Sequence, residues 1–340
     1  MAERPAPEGD VVLKSRVRVA RNYADIPFAP GLSRESSEET IRRAQASVRG
    51  AGEGDAFETY RMRDLADEAR RRLVERHLIS PDLLKFAELS AALISSGETY
   101  SVMVNEEDHL RIQGLLPGLQ IERCAELAFQ AERWLGASHP FAFDRQFGYL
   151  TSCPTNAGTG LRVSSMLHLP ALTRMGRLSE IAQAIGKLGM TVRGIYGEGS
   201  RARGHLFQLS NQASLGRCEE DIVRTLVGAT MEIASSERKA RGELYERDAL
   251  AMEDSMMRAL AVAKSARLMG SDEFMDLYSE LRIAASAGRV PIAAPDLDRL
   301  MEEAQPASLS VRAGERLDER GENAARAEIL RESIAKWVRH

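Results

Sequence analysis

The residues best suited to chemistry are arginines and acids gathered in four short segments. In Ser15-Arg16-Val17-Arg18 the alternation would put Arg16 and Arg18 on one face of a strand. Asn105-Glu106-Glu107-Asp108-His109-Leu110-Arg111 sets three consecutive carboxylates just before an arginine. Such a run repels itself and by itself reads as a solvated turn, with a metal or general-base site as the alternative. Cys153-Pro154-Thr155-Asn156-Ala157-Gly158-Thr159-Gly160-Leu161-Arg162 reads as a glycine-bearing turn leading into a helix, where N–H groups and an arginine could hold an anion. Arg193-Gly194-Ile195-Tyr196-Gly197-Glu198-Gly199 is a loop with one arginine and one isolated carboxylate. Planar, permanently charged guanidinium groups suit a polyphosphate better than lysines do. Carboxylates suit a cationic acceptor that must lose a proton.

Familiar nucleotide signatures are missing. Gly186-Lys187 is followed by Leu188 and has Ile181 where a phosphate-binding loop needs its first glycine. No protein-kinase catalytic-loop or metal-binding triplet occurs. Gly158-Thr159-Gly160 and Gly197-Glu198-Gly199 each begin a GxGxxG pattern, but Val163 and Ala202 stand at the third glycine.

These segments need a scaffold. Val11–Ala20 alternates like a strand with one charged face, and Tyr100–Asn105 is expected to pair with Arg111–Leu115 across the acidic turn. Thr191–Tyr196 and His205–Ser210 read as two strands bracketing the glycine-rich loop, and Phe141–Ser152 as strands. Helices are expected from Ser36-Ser37-Glu38-Glu39 onward, over Asp64–Leu78, Ile121–Leu135, Ser164–Arg174 and Ser179–Leu188. From Glu219 the texture changes, and Thr225–Ala285 is almost free of Gly and Pro and helical by propensity. Pro291–Pro295 breaks it, with further helices over Asp296–Glu303 and Ala324–Val338. Met252, Met256 and Met257 lie at helical spacing and read as core. The fold class is α+β: a flexible stretch over 1–10, a catalytic domain over 11–244 built on an antiparallel sheet with flanking helices, and a helical C-terminal domain over 245–340.

Composition sets the outer limits. A net charge of -4 with 28% charged residues gives no reason to expect a nucleic-acid or membrane partner. No apolar run reaches the roughly 20 residues of a bilayer span, and the polar N-terminus does not read as a signal peptide. The three cysteines (Cys124, Cys153, Cys218) and six histidines form neither a disulfide framework nor a metal-ligand pattern, so no protein-held metal is expected and the compartment is expected to be reducing cytoplasm. Only six of the 46 basic residues are lysine, a bias best read as codon usage, so the argument rests on particular arginines.

Taken in order and spacing, the S-R-V-R strand, N-E-E-D-H-L-R, C-P-T-N-x-G-T-G-x-R and R-G-x-x-G-E resemble the phosphagen (ATP:guanidino) kinases over residues 11–244. Within that superfamily the chain is most similar to the bacterial protein arginine kinases. It begins almost at the catalytic domain, without the small helical domain whose loop closes over a free guanidino substrate. Arg162-Val163-Ser164-Ser165-Met166 has Met166 where free-substrate enzymes often carry His. Tyr196-Gly197-Glu198-Gly199-Ser200, Phe207-Gln208-Leu209-Ser210-Asn211-Gln212 and the helical C-terminal part are also similar.

The resemblance implies ATP and Mg²⁺ as cofactors, with the metal bridging the phosphates. It implies an ATP site of Ser15, Arg16, Val17, Arg18, His77, Arg111, Arg162, Val163, Ser164, Ser165, Met166, Arg193, Gly194, Ile195, Tyr196, Gly197 and Glu198. The clamp proper would be Arg16, Arg18, Arg111, Arg162 and Arg193. His77 has a second reading as a helix-end histidine packed on the core. Glu107 matches the catalytic glutamate, as base and main orienting group, and Glu198 the second clamp on the guanidinium; which takes the proton stays open. Glu106 and Asp108 would act through water near the metal or shape the turn. Cys153 matches the reactive cysteine, steering a cation electrostatically; as a plain residue it reads as packing before Pro154. The resemblance further implies protein quality control, protein substrates bearing arginine, an activating adaptor, a Clp-type protease system and a homodimer. A phosphoarginine-sensing R-D-x-x-R-A motif corresponds to Glu322-Asn323-Ala324-Ala325-Arg326-Ala327, which keeps Arg326 and Ala327 but not the leading Arg-Asp pair. The alternatives are a kinase for free arginine or another small guanidine, and a non-catalytic scaffold that binds nucleotide or phosphoarginine.

Overall fold

The computed structural model describes residues 6–28, 31–49, 56–195, 202–214 and 216–338. In chain order the elements are β1 (Val12–Arg21), α1 (Arg34–Arg49), β2 (Phe57–Arg61), α2 (Asp67–Glu75), β3 (Ala91–Ser95), β4 (Tyr100–Val104), β5 (Leu110–Pro117), α3 (Ile121–Gly136), β6 (Phe143–Asp144), β7 (Gly148–Tyr149), β8 (Leu161–His168), α4 (Pro170–Arg174), α5 (Leu178–Gly186), β9 (Met190–Gly194) and β10 (Leu206–Asn211). Five helices follow: α6 (Glu219–Ser265), α7 (Ser271–Ser286), α8 (Ala294–Glu303), α9 (Pro306–Ala313) and α10 (Glu319–Trp337). Eight strands form one sheet in the order β2-β3-β4-β5-β1-β8-β10-β9, and every neighbouring pair is antiparallel.

The period of two along each strand sorts the side chains between two unlike faces. One face is apolar: Val17, Val19, Val102, Ile112, Val163 and Leu167 are buried in the main core, with Cys124, Leu127 and Ala128 of α3 and Ile222, Leu226 and Ile233 of α6. Burying each such side chain stabilises by about 1.5–3 kcal/mol, so this layer is the scaffold's main source of stability. Close approach of α3 needs Gly114 of β5, where an added Cβ would stand 2.4 Å from the Cys124 carbonyl oxygen.

The opposite face is covered only in parts. Over β3 and β4 lies a small second core in which Leu78, Ile79 and Leu83 pack on Ala92, Ile94 and Met103. Over the β8 end lies α7, where Ser279 Oγ sits 2.7 Å from His168 Nε2 and 2.9 Å from His205 Nδ1. Between these covers runs a strip bearing Lys14, Arg16 and Arg18 on β1, Arg111 on β5 and Arg162 on β8.

Several sequence expectations fail locally. Residues 161–168 are a strand, so the Cys153–Arg162 turn leads into β8, and helix begins only at Pro170. The apolar and polar residues of this stretch fit either period; pairing with β1 and β10 on both sides settles it. Helix α1 starts at Arg34, and Ser33 Oγ accepts the Ser36 N–H, two residues before the expected start at Ser36. Phe141–Ser152 forms only the two-residue strands β6 and β7, and α9 was not expected. Helix α6 runs through the expected boundary at 244/245, with a non-helical residue at Asp248 (φ -160°, ψ 81°).

Candidate active site

Register builds the cationic strip. Arg18 stands opposite Arg162, Arg16 opposite Ser164, and Ala20 opposite Arg111. Arg162 donates to Ser210 Oγ at 3.2 Å, and Arg16 to Gln208 Oε1 at 3.5 Å. Gln208 in turn lies opposite Arg193, which is solvent-exposed at the rim. Burial and the neighbouring guanidinium groups of Arg162 and Arg111 depress Arg16 to about 10. Burial and the charges of Arg111 and Arg16 hold Arg18 well below the ordinary range, and Arg162 is lowered by burial and by Arg193 and Arg111. Cations crowded until they lose proton affinity are favoured by a polyanion, which restores the charge balance and can accept paired N–H bonds.

The motif residues divide by strand alternation, which corrects part of the expected ATP site. Arg16, Arg18, Arg162, Ser164 and Met166 belong to the strip. Ser15 faces the other way: its Oγ donates to the Gly118 carbonyl at 2.7 Å and accepts the Gln120 N–H at 2.9 Å. Val17 and Val163 are core, and Ser165 Oγ bonds Thr230 Oγ1 of α6 at 3.2 Å. These four can meet a ligand only through strand backbone. Gly194 and Ile195 close β9, while Tyr196, Gly197 and Glu198 lie outside the described residues.

The acidic run has three different fates. Glu106 is fully buried, accepts from Arg111 and from Ser80 Oγ, and so anchors one clamp arginine. Asp108 is buried; its Oδ1 accepts from Asn22 Nδ2 and from the Ser152 N–H, each at 2.7 Å. Glu107 alone keeps a partly accessible carboxylate, with Asn156 Nδ2 at 3.4 Å. The turn is held rigidly: Asn105, at φ 60°, donates to Ser37 and to the Leu89 carbonyl, and His109 Nδ1 accepts the Tyr23 N–H at 3.1 Å. Because Asp108 grips Ser152, the loop carrying Cys153 and Asn156 is fixed beside Glu107. Buried Arg21 braces that loop from below, donating to Glu132 (2.6 Å) and the Thr159 carbonyl (2.9 Å), its guanidinium 3.4 Å over Tyr149. Gly160, at φ 62°, is needed there, since an added Cβ would stand 2.8 Å from both the Ala20 carbonyl and Arg21.

His77 follows α2 at φ 61°. Burial, with Lys14 and Arg16 nearby, lowers it to about 3, so it is neutral at the strip's edge. Beyond Arg16 the strip opens into a cleft of about 1600 Å³ lined by Lys14, Met166, Arg72, Arg76 and Glu302 among others. Cys124 is core as expected, its thiol pushed up to about 12 by burial. Cys218 is the exposed N-cap residue of α6. Arg326 is buried and donates to the Ala304 and Met269 carbonyls, each at 2.9 Å.

Among the described residues no group of three or more His, Cys, Asp or Glu is placed to hold a metal. Glu106, the buried acid of the turn, is already engaged by Arg111 and by Ser80. No described helix is long and apolar enough to cross a membrane. Ser80, Asn156, Ser210 and Arg21 were invisible as site residues in the sequence, because each acts through a partner more than 25 positions away.

Comparison with known proteins places the chain among described families. Residues 38–240 match the model of the ATP:guanido phosphotransferase C-terminal catalytic domain, and residues 249–340 that of the protein-arginine kinase McsB C-terminal domain. A protein-arginine kinase of Caldanaerobacter subterraneus subsp. tengcongensis is 42% identical over 96% of this chain and 98% of its own. One from Symbiobacterium thermophilum is 42% identical over 98% and 96%. Among solved structures, lombricine kinase shares the fold with a TM-score of 0.60, at 22% identity over 71% of this chain and 73% of that one. The duplicated taurocyamine kinase of Schistosoma mansoni gives a TM-score of 0.57 at 26% identity, over 68% of this chain and 34% of that longer one.

Proposed function

The chain belongs to the ATP:guanido phosphotransferase family, among its protein-arginine kinases, and we propose that it transfers the γ-phosphoryl group of ATP to arginine side chains of proteins. The observation that carries this reading is one sheet face where Arg16, Arg18, Arg111 and Arg162 converge, with Glu107 the accessible acid at the end of that strip.

Phosphoryl transfer of this kind depends chiefly on alignment and charge neutralisation. The arginine strip binds and straightens the phosphate chain, and neutral His77, Met166 and the adjoining cleft receive the nucleoside. Mg²⁺, bound with the nucleotide, supplies further neutralisation of phosphate charge. An arginine side chain, with a pKa of roughly 12.5–13.8, is protonated and a poor nucleophile. Glu107 holds two of its N–H groups and accepts the proton released as the new N–P bond forms and the bond to the ADP oxygen breaks. Asn156 orients the Glu107 carboxylate. Glu198 is assigned as the second clamp, and Cys153 as a side chain that favours the cation, both from their places in the family motifs. Arg326 is assigned no ligand.

The proposal extends to a domain division near residue 245, close to the break at Asp248, and to cytoplasmic protein quality control. There it would act as a homodimer with an activating adaptor and a Clp-type protease system; these assignments rest on the family resemblance alone.

The test is incubation of purified protein with Mg-ATP and an arginine-bearing protein or free L-arginine, with Glu107→Ala as control. Acid-labile label on protein arginine that vanishes in the control is expected. Label confined to free arginine would move the enzyme to small guanidines. No transfer, with ATP still bound, would favour a scaffold.

A further inference from the structure

The cationic strip does not end at Arg16. Two residues earlier on β1, on the same face, stands Lys14, opposite Met166 of β8. Glu107 lies at the other end, because its turn leads into β5 at Leu110, which pairs with Arg21, whereas Lys14 pairs with Pro117. Lys14 is therefore the last cation of the strip before the cleft of about 1600 Å³. Burial lowers His77, and the charges of Lys14 and Arg16 lower it further, so Lys14 acts on the nucleoside side of the strip.

The partner of Lys14 comes from the C-terminal helices. Glu302 of α8 accepts from Lys14 Nζ through Oε1, with only 15% of its side chain exposed. Helix α8 is anchored one turn earlier, where Asp298 accepts from Tyr278 Oη (2.6 Å) and Arg282 Nε (2.8 Å). Arg282 also donates to the Gly9 and Asp10 carbonyls just ahead of β1, each at 2.8 Å. Other acids of the cleft wall are turned elsewhere: Glu8 and Asp10 pair with Arg238, and Asp298 with Arg282. Among the described acids lining the cleft, Glu302 is the one joined to the strip. A carboxylate repels phosphate oxygens, so this one is not placed for the phosphate chain. As an acceptor without a proton to give, it suits hydroxyl groups. The sugar follows the phosphates directly, so an acid one contact beyond the last cation meets the sugar before the base. Oε1 is held by Lys14 and Oε2 is left for a hydroxyl. Carboxylates read ribose hydroxyls in the same way in dinucleotide-binding folds.

We propose that the C-terminal helical part completes the nucleotide site: Glu302 accepts a hydrogen bond from a ribose hydroxyl of ATP, and Lys14 holds its carboxylate in place. The inference deepens the ATP-dependent kinase reading and rests on its nucleotide site. It makes Glu302 a specificity-determining residue supplied from residues 249–340, outside the 38–240 match to the catalytic domain.

The test is calorimetric titration of the full chain with the magnesium complexes of ATP, 2′-deoxy-ATP and 3′-deoxy-ATP, alongside an assay of transfer to protein arginine. The wild type is expected to bind ATP about tenfold more tightly than at least one deoxy analogue, the scale of one hydrogen bond to a charged group. Glu302→Ala is expected to bring ATP down to the level of that analogue. Glu302→Gln, close in shape and still an acceptor, is expected to keep part of the preference. So is Lys14→Met, which removes the holder and retains the carboxylate. Equal binding of all three nucleotides by the wild type, or a preference for ATP that survives in Glu302→Ala, would overturn the inference. An equal loss on all three in Glu302→Ala would mark Glu302 as a mere counter-ion of Lys14, and would also overturn it. So would a change confined to the ratio of ATP to inosine triphosphate, which would put the carboxylate on the base. The expected preference without transfer to any arginine would sink the kinase reading and leave this inference standing, while a chain that binds none of the nucleotides would sink both.

Discussion

Glu75, in the last turn of α2, accepts the N–H groups of Ala307 and Ser308 at 2.8 Å and the Ser308 hydroxyl at 2.9 Å, so its carboxylate caps α9 from another part of the chain. These first-turn N–H groups have no acceptor within α9, and Pro306 ahead of them has no N–H to satisfy. Two residues after Glu75 comes His77, and three further on Ser80, which bonds Glu106, the counter-ion of Arg111. Glu75→Ala is therefore expected to cost about 1–2 kcal/mol in stability, as lost caps do, and to raise the KM for ATP several-fold with little change in kcat. Denaturant unfolding and ATP titration check this; an unchanged KM would show that the cap holds the helices together without reaching the nucleotide side.

Glu106 and Arg111 make a buried ion pair inside a crowd of cations. Removing one partner of such a pair costs about 3–5 kcal/mol, because the other charge stays buried. In Glu106→Gln that cost is expected in full without nucleotide and only in part with it, since phosphate replaces the missing charge. The nucleotide-induced rise in Tm should thus be larger in the variant than in the wild type. A smaller rise would mean that Glu106 is needed for phosphate binding itself.

Arg162→Lys tests geometry with charge conserved. Lysine cannot reproduce a planar fork or reach both Ser210 and a phosphate oxygen. The expected result is a rise in KM for ATP of about tenfold with unfolding midpoint unchanged, because Arg162 lies on the open strip and not in a packed core. Steady-state kinetics at varied ATP decide it, and a kcat loss at saturating ATP would place Arg162 in alignment of the transferred group as well.

The sequence made the catalytic motifs legible because phosphate chemistry demands particular residues at short range: Arg16 and Arg18 by alternation, and an acid run closed by Arg111. It did not reveal which acid of the run stays accessible. Glu106, Glu107 and Asp108 are chemically near-equivalent along the chain, and they part only when Arg111, Asn22 and Ser152 arrive from distant elements. Residues 161–168 misled for a related reason. Their polar positions look amphipathic at either period, and pairing to β1 and β10, contacts remote in sequence, makes them a strand. The helical C-terminal part was legible from propensity, but α9 was not, since an eight-residue helix depends on the Glu75 cap.

Acid should act where the two histidines meet α7. Burial, and secondarily Arg174, lowers His205 to about 4, while burial together with Arg282 and Arg241 holds His168 well below its ordinary range. Both are neutral in the fold and would titrate near 6.5 when unfolded. Below pH 6.5 the unfolded chain takes up protons that the folded one refuses, so stability is complete above that pH and falls as pH drops toward 4. For His205 the fall between pH 6.5 and 5 is at most about 2 kcal/mol, at roughly 1.4 kcal/mol per pH unit. His205→Asn tests this cleanly, because Asn tolerates the residue's φ of 56° and cannot be charged. Denaturant unfolding at pH 7 and 5 should show a smaller acid loss in the variant than in the wild type. Equal losses would place the acid sensitivity in the carboxylates and leave the His168–Ser279–His205 contact silent in this range.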